Sequence, residues 1–243
     1  MSFIQAPSPN FDARVRPPDM IVLHYTGMPT GEAALAKMCD PDAKVSAHYM
    51  VEEDGRIFSL VPEERRAWHA GKSFWKGETN INAVSVGIEI VNPGHEFGYR
   101  AFPDAQVAAL IDLIADVRSR WTIPDARILG HADVAPDRKE DPGELFPWKQ
   151  LAEAGHGLWV ESGAAPGAAL AEGEEGLGVL ALQAGLTRLG YDCAPSGKFD
   201  TATTAIVRAF QRHWLQTRFD GVADGETRAR LVGLLRLASH TSP

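Results

Sequence analysis

Apolar and polar positions along the first 150 residues follow two periods, one of two and one near 3.6. The first apolar run, MIVLH at 20–24, reads as a strand. In VSAHYMV, 45–51, Val45, Ala47, Tyr49 and Val51 share one face, and Ser46, His48 and Met50 the other. Asp54-Gly55 and the run RIFSL follow, and the three together predict a hairpin. VSVGIEIV, 84–91, predicts a strand with Val84, Val86, Ile88 and Ile90 on one side and Ser85, Gly87, Glu89 and Val91 on the other. Pro103 and Asp104 then open a helix in which Val107, Leu110, Ile111, Ile114, Val117 and Trp121 form one apolar stripe. RILGH, 127–131, is a short strand ending in His131, and residues 1–19 read as an extended lead-in. Strands interleaved with helices in this order predict an α/β fold, a mixed central β-sheet flanked by helices.

The pattern changes after Trp148. Gly, Ala, Glu and Ser dominate the following stretch, and periodicity fades. The chain therefore divides into a first domain over 1–155, a flexible linker over 156–178 and a small C-terminal helical bundle over 179–243. The bundle's first helix carries Leu182, Leu186 and Leu189 and stops at Gly190. After the turn PSGKFD, Asp200 can cap TATTAIVRAFQRHW, with Val207, Phe210 and Trp214 on one face. A third helix starts near Asp224 and runs through Leu231, Leu234 and Leu235. A unit of this size has a marginal core of its own.

Composition narrows the functional classes. A formal charge of −8 argues against a nucleic-acid binder, which needs cations to neutralise phosphates. Two isolated cysteines, Cys39 and Cys193, form neither a disulfide framework nor a thiolate metal site. No segment approaches the roughly 20 apolar residues of a membrane span. The N-terminus lacks the basic start and apolar run of a secretory signal, which points to the cytoplasm. Nothing specifies an oligomeric state.

Chemistry concentrates at strand ends. His24 closes the first strand and His131 the last, and a rigid strand fixes the direction of an imidazole. Asp141 follows in the loop HADVAPDRKEDPGELFPW. Two imidazoles and a carboxylate, with a fourth position open to water, form a catalytic zinc set. Spacing alone does not select it, because a single strand-end His is more often structural and Asp133, Asp137 and Glu140 compete with Asp141. Glu89 is the polar exception in an apolar strand and suits a general base as well as a solvent-facing carboxylate. Lys139 suits an oxyanion-stabilising cation as well as a solvated surface lysine.

The strings VLHYTG, VSAHYMV, RAWHAG, VGIEIVN and GHADVAPDRKEDPGELFPW, spread over residues 19–150, resemble the type-2 N-acetylmuramoyl-L-alanine amidase family. The resemblance implies zinc, one ion per chain, on His24, His131 and Asp141, with Glu89 and Lys139 catalytic. Trp68, His69, His48 and Asn92 also match family motifs, and each suits substrate contact, packing or backbone anchoring equally. His95, His156, His213 and His240 stand in polar or peripheral contexts and receive no role. LTRLGYD, SGKFDTATTAIVRAFQ and DGVADGETRARL resemble the peptidoglycan-binding helical domain. The implied reaction is hydrolysis of the amide between N-acetylmuramic acid, or its 1,6-anhydro form, and L-alanine. The implied partner is peptidoglycan or a muropeptide. Two alternatives are a metal-free peptidoglycan recognition protein and a different amide hydrolysis on the same scaffold. A wall-binding domain argues for a periplasmic or extracellular setting, against the N-terminal reading.

Overall fold

The computed structural model describes residues 2–161 and 163–240; the side chain of His240 lies outside the described residues. Its strands are β1 Ile4–Gln5, β2 Phe11–Ala13, β3 Met20–Tyr25, β4 Tyr49–Val51, β5 Ile57–Ser59, β6 Arg65–Ala67, β7 Ser85–Ile90 and β8 Ile128–Gly130. Its helices are α1 Gly31–Cys39, α2 Ile81–Val84, α3 Gly94–Phe97, α4 Asp104–Arg120, α5 His131–Val134, α6 Trp148–Glu153, α7 Leu177–Leu189, α8 Thr201–Trp214 and α9 Gly225–His240.

Six strands form the expected mixed sheet in the order β1-β5-β4-β7-β3-β8. The centre is parallel, β4 to β7 to β3 to β8, and the β4–β5 pair is the antiparallel hairpin. A strand with parallel neighbours on both sides is covered on both faces, which is why β3 and β7 are apolar almost throughout. On one face Ile21, Leu23, Val86, Ile88 and Ile90 meet Val107, Leu110, Leu113, Ile114 and Val117 of α4. Near the site, α1 covers the opposite face: Ala34 and Met38, one turn apart, pack with Ala47, Met50 and Val91.

The lead-in carries two strands that its polar sequence does not announce. β1 pairs with β5, and β2 pairs with β6. Pairings of two or three residues are shorter than any readable period. His131 also differs from its expected place: β8 ends at Gly130, and His131 opens the single turn α5.

The helical bundle does not stand apart. Met20, Val22 and Leu129 of the sheet, with Ala132 and Val134 of α5, share one apolar core with Leu182, Leu186, Ile206, Phe210 and Leu234 of the bundle. Residues 156–178, expected as a linker, carry backbone hydrogen bonds to the bundle: Ala165 N to Gly225 O, Leu170 N to Ala223 O and Gly173 N to Phe199 O. Leu158 and Leu170 pack on the same core. Among the described residues, no helix is long and apolar enough to cross a membrane.

Candidate metal centre and active-site cleft

His24 near the end of β3, His131 at the start of α5 and Asp141 in the following loop converge from three elements. The Nδ1 atoms of His24 and His131 are 2.9 Å apart, and Asp141 Oδ2 is 3.1 Å from each. All three side chains are buried. The competing carboxylates point elsewhere. Asp133 accepts from Gly130 N and Tyr191 Oη and meets His213, Glu140 pairs with Arg212, and Asp137 lines a separate cavity beside Ile206.

The hydrogen-bond network fixes which nitrogen of each ring is bare. Ser85 Oγ donates its one proton to Ile81 O at 2.7 Å, so it accepts from His69 Nε2 at 3.1 Å. His69 Nδ1 therefore has no proton and accepts from His24 Nε2 at 3.0 Å. His24 Nδ1 is left as a lone pair. His131 Nε2 donates to Ala70 O at 3.0 Å, which leaves His131 Nδ1 bare as well. Burial, with His131 beside it, pushes His24 down to about 4, so this ring is neutral at neutral pH. Two lone pairs and a carboxylate oxygen facing one another at this distance need a cation between them. The donor set suits zinc, and each imidazole has the outer hydrogen bond that orients a metal ligand.

Glu89 lies beside this centre because β7 runs in register with β3, which sets His24 opposite Glu89. Glu89 Oε2 is buried and has no hydrogen-bond partner among the described residues. Burial, together with Asp141, pushes the carboxyl up to about 8, against the pull of Lys139 and Lys37. Two residues earlier on β7, a Cβ on Gly87 would lie 2.4 Å from the His69 ring. Only glycine lets His69 reach His24 across the strand.

The centre lies at the floor of a cleft of about 370 Å³, lined also by Tyr25, Thr26, Lys37, Arg138 and Lys139. Arg138 is tied back to Ala70 O and Lys72 O. Of the weaker sequence candidates, His69 reaches the cleft, but both of its nitrogens are spent within the network. His48 is buried, accepts from Gly87 N and is capped by Arg65 O and Arg14. Asn92 bonds Arg100 O and Gly94 N, and Trp68 bonds Asp12. These three shape loops outside the cleft lining. The sequence reading missed Lys37, an ordinary helix lysine by pattern, and Arg14, whose guanidinium binds Glu63 O, Ala83 O and Ser85 O.

Fold and cleft define a class: an α/β protein with an open two-histidine, one-carboxylate centre beside an unpartnered carboxylate. Residues 14–144 match the N-acetylmuramoyl-L-alanine amidase family, and residues 175–231 match a peptidoglycan binding domain family. The chain belongs to the N-acetylmuramoyl-L-alanine amidase family. It is 37% identical to the N-acetylmuramoyl-L-alanine amidase AmiD of Escherichia coli, over 89% of this chain and 82% of that protein. It is 35% identical to the 1,6-anhydro-N-acetylmuramyl-L-alanine amidase AmpD of the same organism, over 60% of this chain and 88% of that protein. A structure of E. coli AmiD with the substrate anhydro-N-acetylmuramic acid-L-Ala-D-γ-Glu-L-Lys superposes with a TM-score of 0.76, at 35% identity, over 97% of this chain and 93% of that one. AmpDH3 of Pseudomonas aeruginosa gives 0.77 at 30% identity, over 92% of this chain and 93% of that one.

Proposed function

We propose that this chain is a zinc-dependent amidase that hydrolyses the amide between N-acetylmuramic acid, or its 1,6-anhydro form, and L-alanine in peptidoglycan fragments. The observation that carries the reading is the pair of bare Nδ1 atoms, 2.9 Å apart, with Asp141 Oδ2 beside both. His24, His131 and Asp141 hold the ion. Zinc bound there supplies Lewis acidity to the scissile carbonyl and to the attacking water.

Glu89 takes the proton of that water. Its buried oxygen, without a hydrogen-bond partner beside the metal ligands, suits it to accept a proton and return it to the leaving amine of L-alanine. Lys139, half-buried in the cleft wall, faces the carbonyl oxygen as charge develops on it. Residues 1–155 form the catalytic unit in this reading, and 179–243 a peptidoglycan-binding unit, with 156–178 between them. The names of the relatives favour an anhydro-muropeptide as substrate.

Protein purified without added metal should contain about one zinc per chain by elemental analysis. It should release the peptide from anhydro-muropeptide, lose that activity to a chelator and regain it with zinc. Full turnover by the chelated protein overturns the proposal.

A further inference from the structure

The cleft has a second lobe. A pocket of about 70 Å³ extends it towards α1, walled by Met28, Ala34 and Met38 and sharing Thr26, Lys37, Val45 and Glu89 with the main cleft. Ala34 and Met38 anchor α1 on the sheet, and Lys37 precedes Met38 on the exposed side. Lys37 and Lys139 both line the cleft with Glu89, and both pull on its carboxyl. Lys139 has a task in the proposed reaction. Lys37 has none, and no carboxylate among the described residues pairs with it.

Lysine near a helix C-terminus is ordinary, because the last carbonyls attract a cation. That accounts for the residue type and not for its place on a cleft wall within reach of the base. Substrate chemistry supplies the missing anion. In the peptide L-Ala-D-γ-Glu-L-Lys carried by the AmiD ligand, glutamate is linked through its side-chain carboxyl. Its α-carboxylate is therefore free, one residue beyond the alanine whose amide is cut. A peptide leaving the scissile bond through the apolar second lobe brings that carboxylate past Lys37.

We propose that Lys37 is a specificity-determining residue: it pairs with the free α-carboxylate of the second stem-peptide residue while Met28, Ala34 and Met38 line its path. The inference rests on the amidase reading above. It makes the enzyme selective for stem peptides with γ-linked D-glutamate over those in which that carboxyl is amidated to isoglutamine.

The test uses the full-length zinc-loaded enzyme and two anhydro-muropeptides, one with D-γ-glutamate and one with D-isoglutamine. Wild type should favour the acid in kcat/KM by roughly tenfold, mainly through KM, as a charge-assisted contact at a partly exposed site allows. Added salt should shrink the preference. In Lys37→Met the acid-to-amide ratio should collapse towards one, and Lys37→Arg should restore most of it. A ratio unchanged in Lys37→Met overturns the assignment, whatever its absolute rate. Hydrolysis of neither substrate by wild type overturns the amidase reading, and the inference with it.

Discussion

His213 Nδ1 and Asp133 Oδ2 lie 2.7 Å apart in a buried contact between α8 of the bundle and α5 of the catalytic unit. The imidazole is stacked between Trp148, at 3.6 Å, and Trp214, at 3.7 Å. Asp133 also accepts from Gly130 N, immediately before His131, and from Tyr191 Oη. The bundle thus reaches the residue that opens the turn carrying a candidate metal ligand. Arg212 and Gln216 add contacts to Glu140 and to the Glu144 and Phe146 carbonyls, on the loop that carries Asp141.

Removing His213 takes one of three partners from a buried carboxylate. A hydrogen bond to a charged group contributes about 1.5–3 kcal/mol, so His213→Ala should lower unfolding stability by that order. Because the two units share a core, urea should unfold them in one transition. Two separate transitions in wild type would show that the contact does not couple them.

Ser85 and His69 orient His24 from behind. Losing such an outer partner typically costs 10–100-fold in metal affinity. His69→Ala should therefore lower zinc affinity in a chelator competition by about that factor, with circular dichroism unchanged. Ser85→Ala should act in the same direction and more weakly. Unchanged affinity in both would mean that the network does not set the ligand ring.

Glu89→Gln should keep its zinc and its fold and lose on the order of 10²–10⁴ in turnover, the usual loss with a general base. Steady-state kinetics beside elemental analysis decide the point. Lys139→Ala should lose mainly kcat, because the oxyanion exists only beyond the ground state.

The same carboxyl links stability to pH in the metal-free protein. Its pKa is raised from the ordinary 4.5 to about 8, so the folded state holds a proton that the unfolded chain releases. That contribution is complete below about pH 4.5 and is lost as pH rises through about 8. Glu89→Gln cannot ionise. Its melting temperature should therefore gain on that of wild type between about pH 5 and pH 9. A constant difference across that range would show that Glu89 titrates normally.

Apolar runs and periods carried the sheet and the large helices into view: β3 is a continuous apolar run, β7 alternates, and α4, α7 and α8 follow residues that recur every third to fourth position. The short pairs β1–β5 and β2–β6 left no such trace, since two residues cannot display a period. For the site, His24, His131, Asp141 and Glu89 were marked by motif strings, and the structure brings them together around one cleft. His213 looked peripheral because its partners, Trp148 and Asp133, are distant in sequence. Lys37 drew no reading because the cleft beside it is built by β7 and the loop after β3. Contacts between distant segments are invisible to any local pattern, and both residues depend on them.

The register that sets His24 opposite Glu89 works as a fixed gauge. Neighbouring strands in a sheet stand roughly 4.8 Å apart whatever their side chains, so the spacing between these two backbone positions is not open to tuning by sequence. Gly87, with no room for a Cβ, locks the middle of the same strand. Anyone redesigning this scaffold for another amide is therefore confined to its walls, among them α1 and residues 138–140. The floor has to be taken as it is.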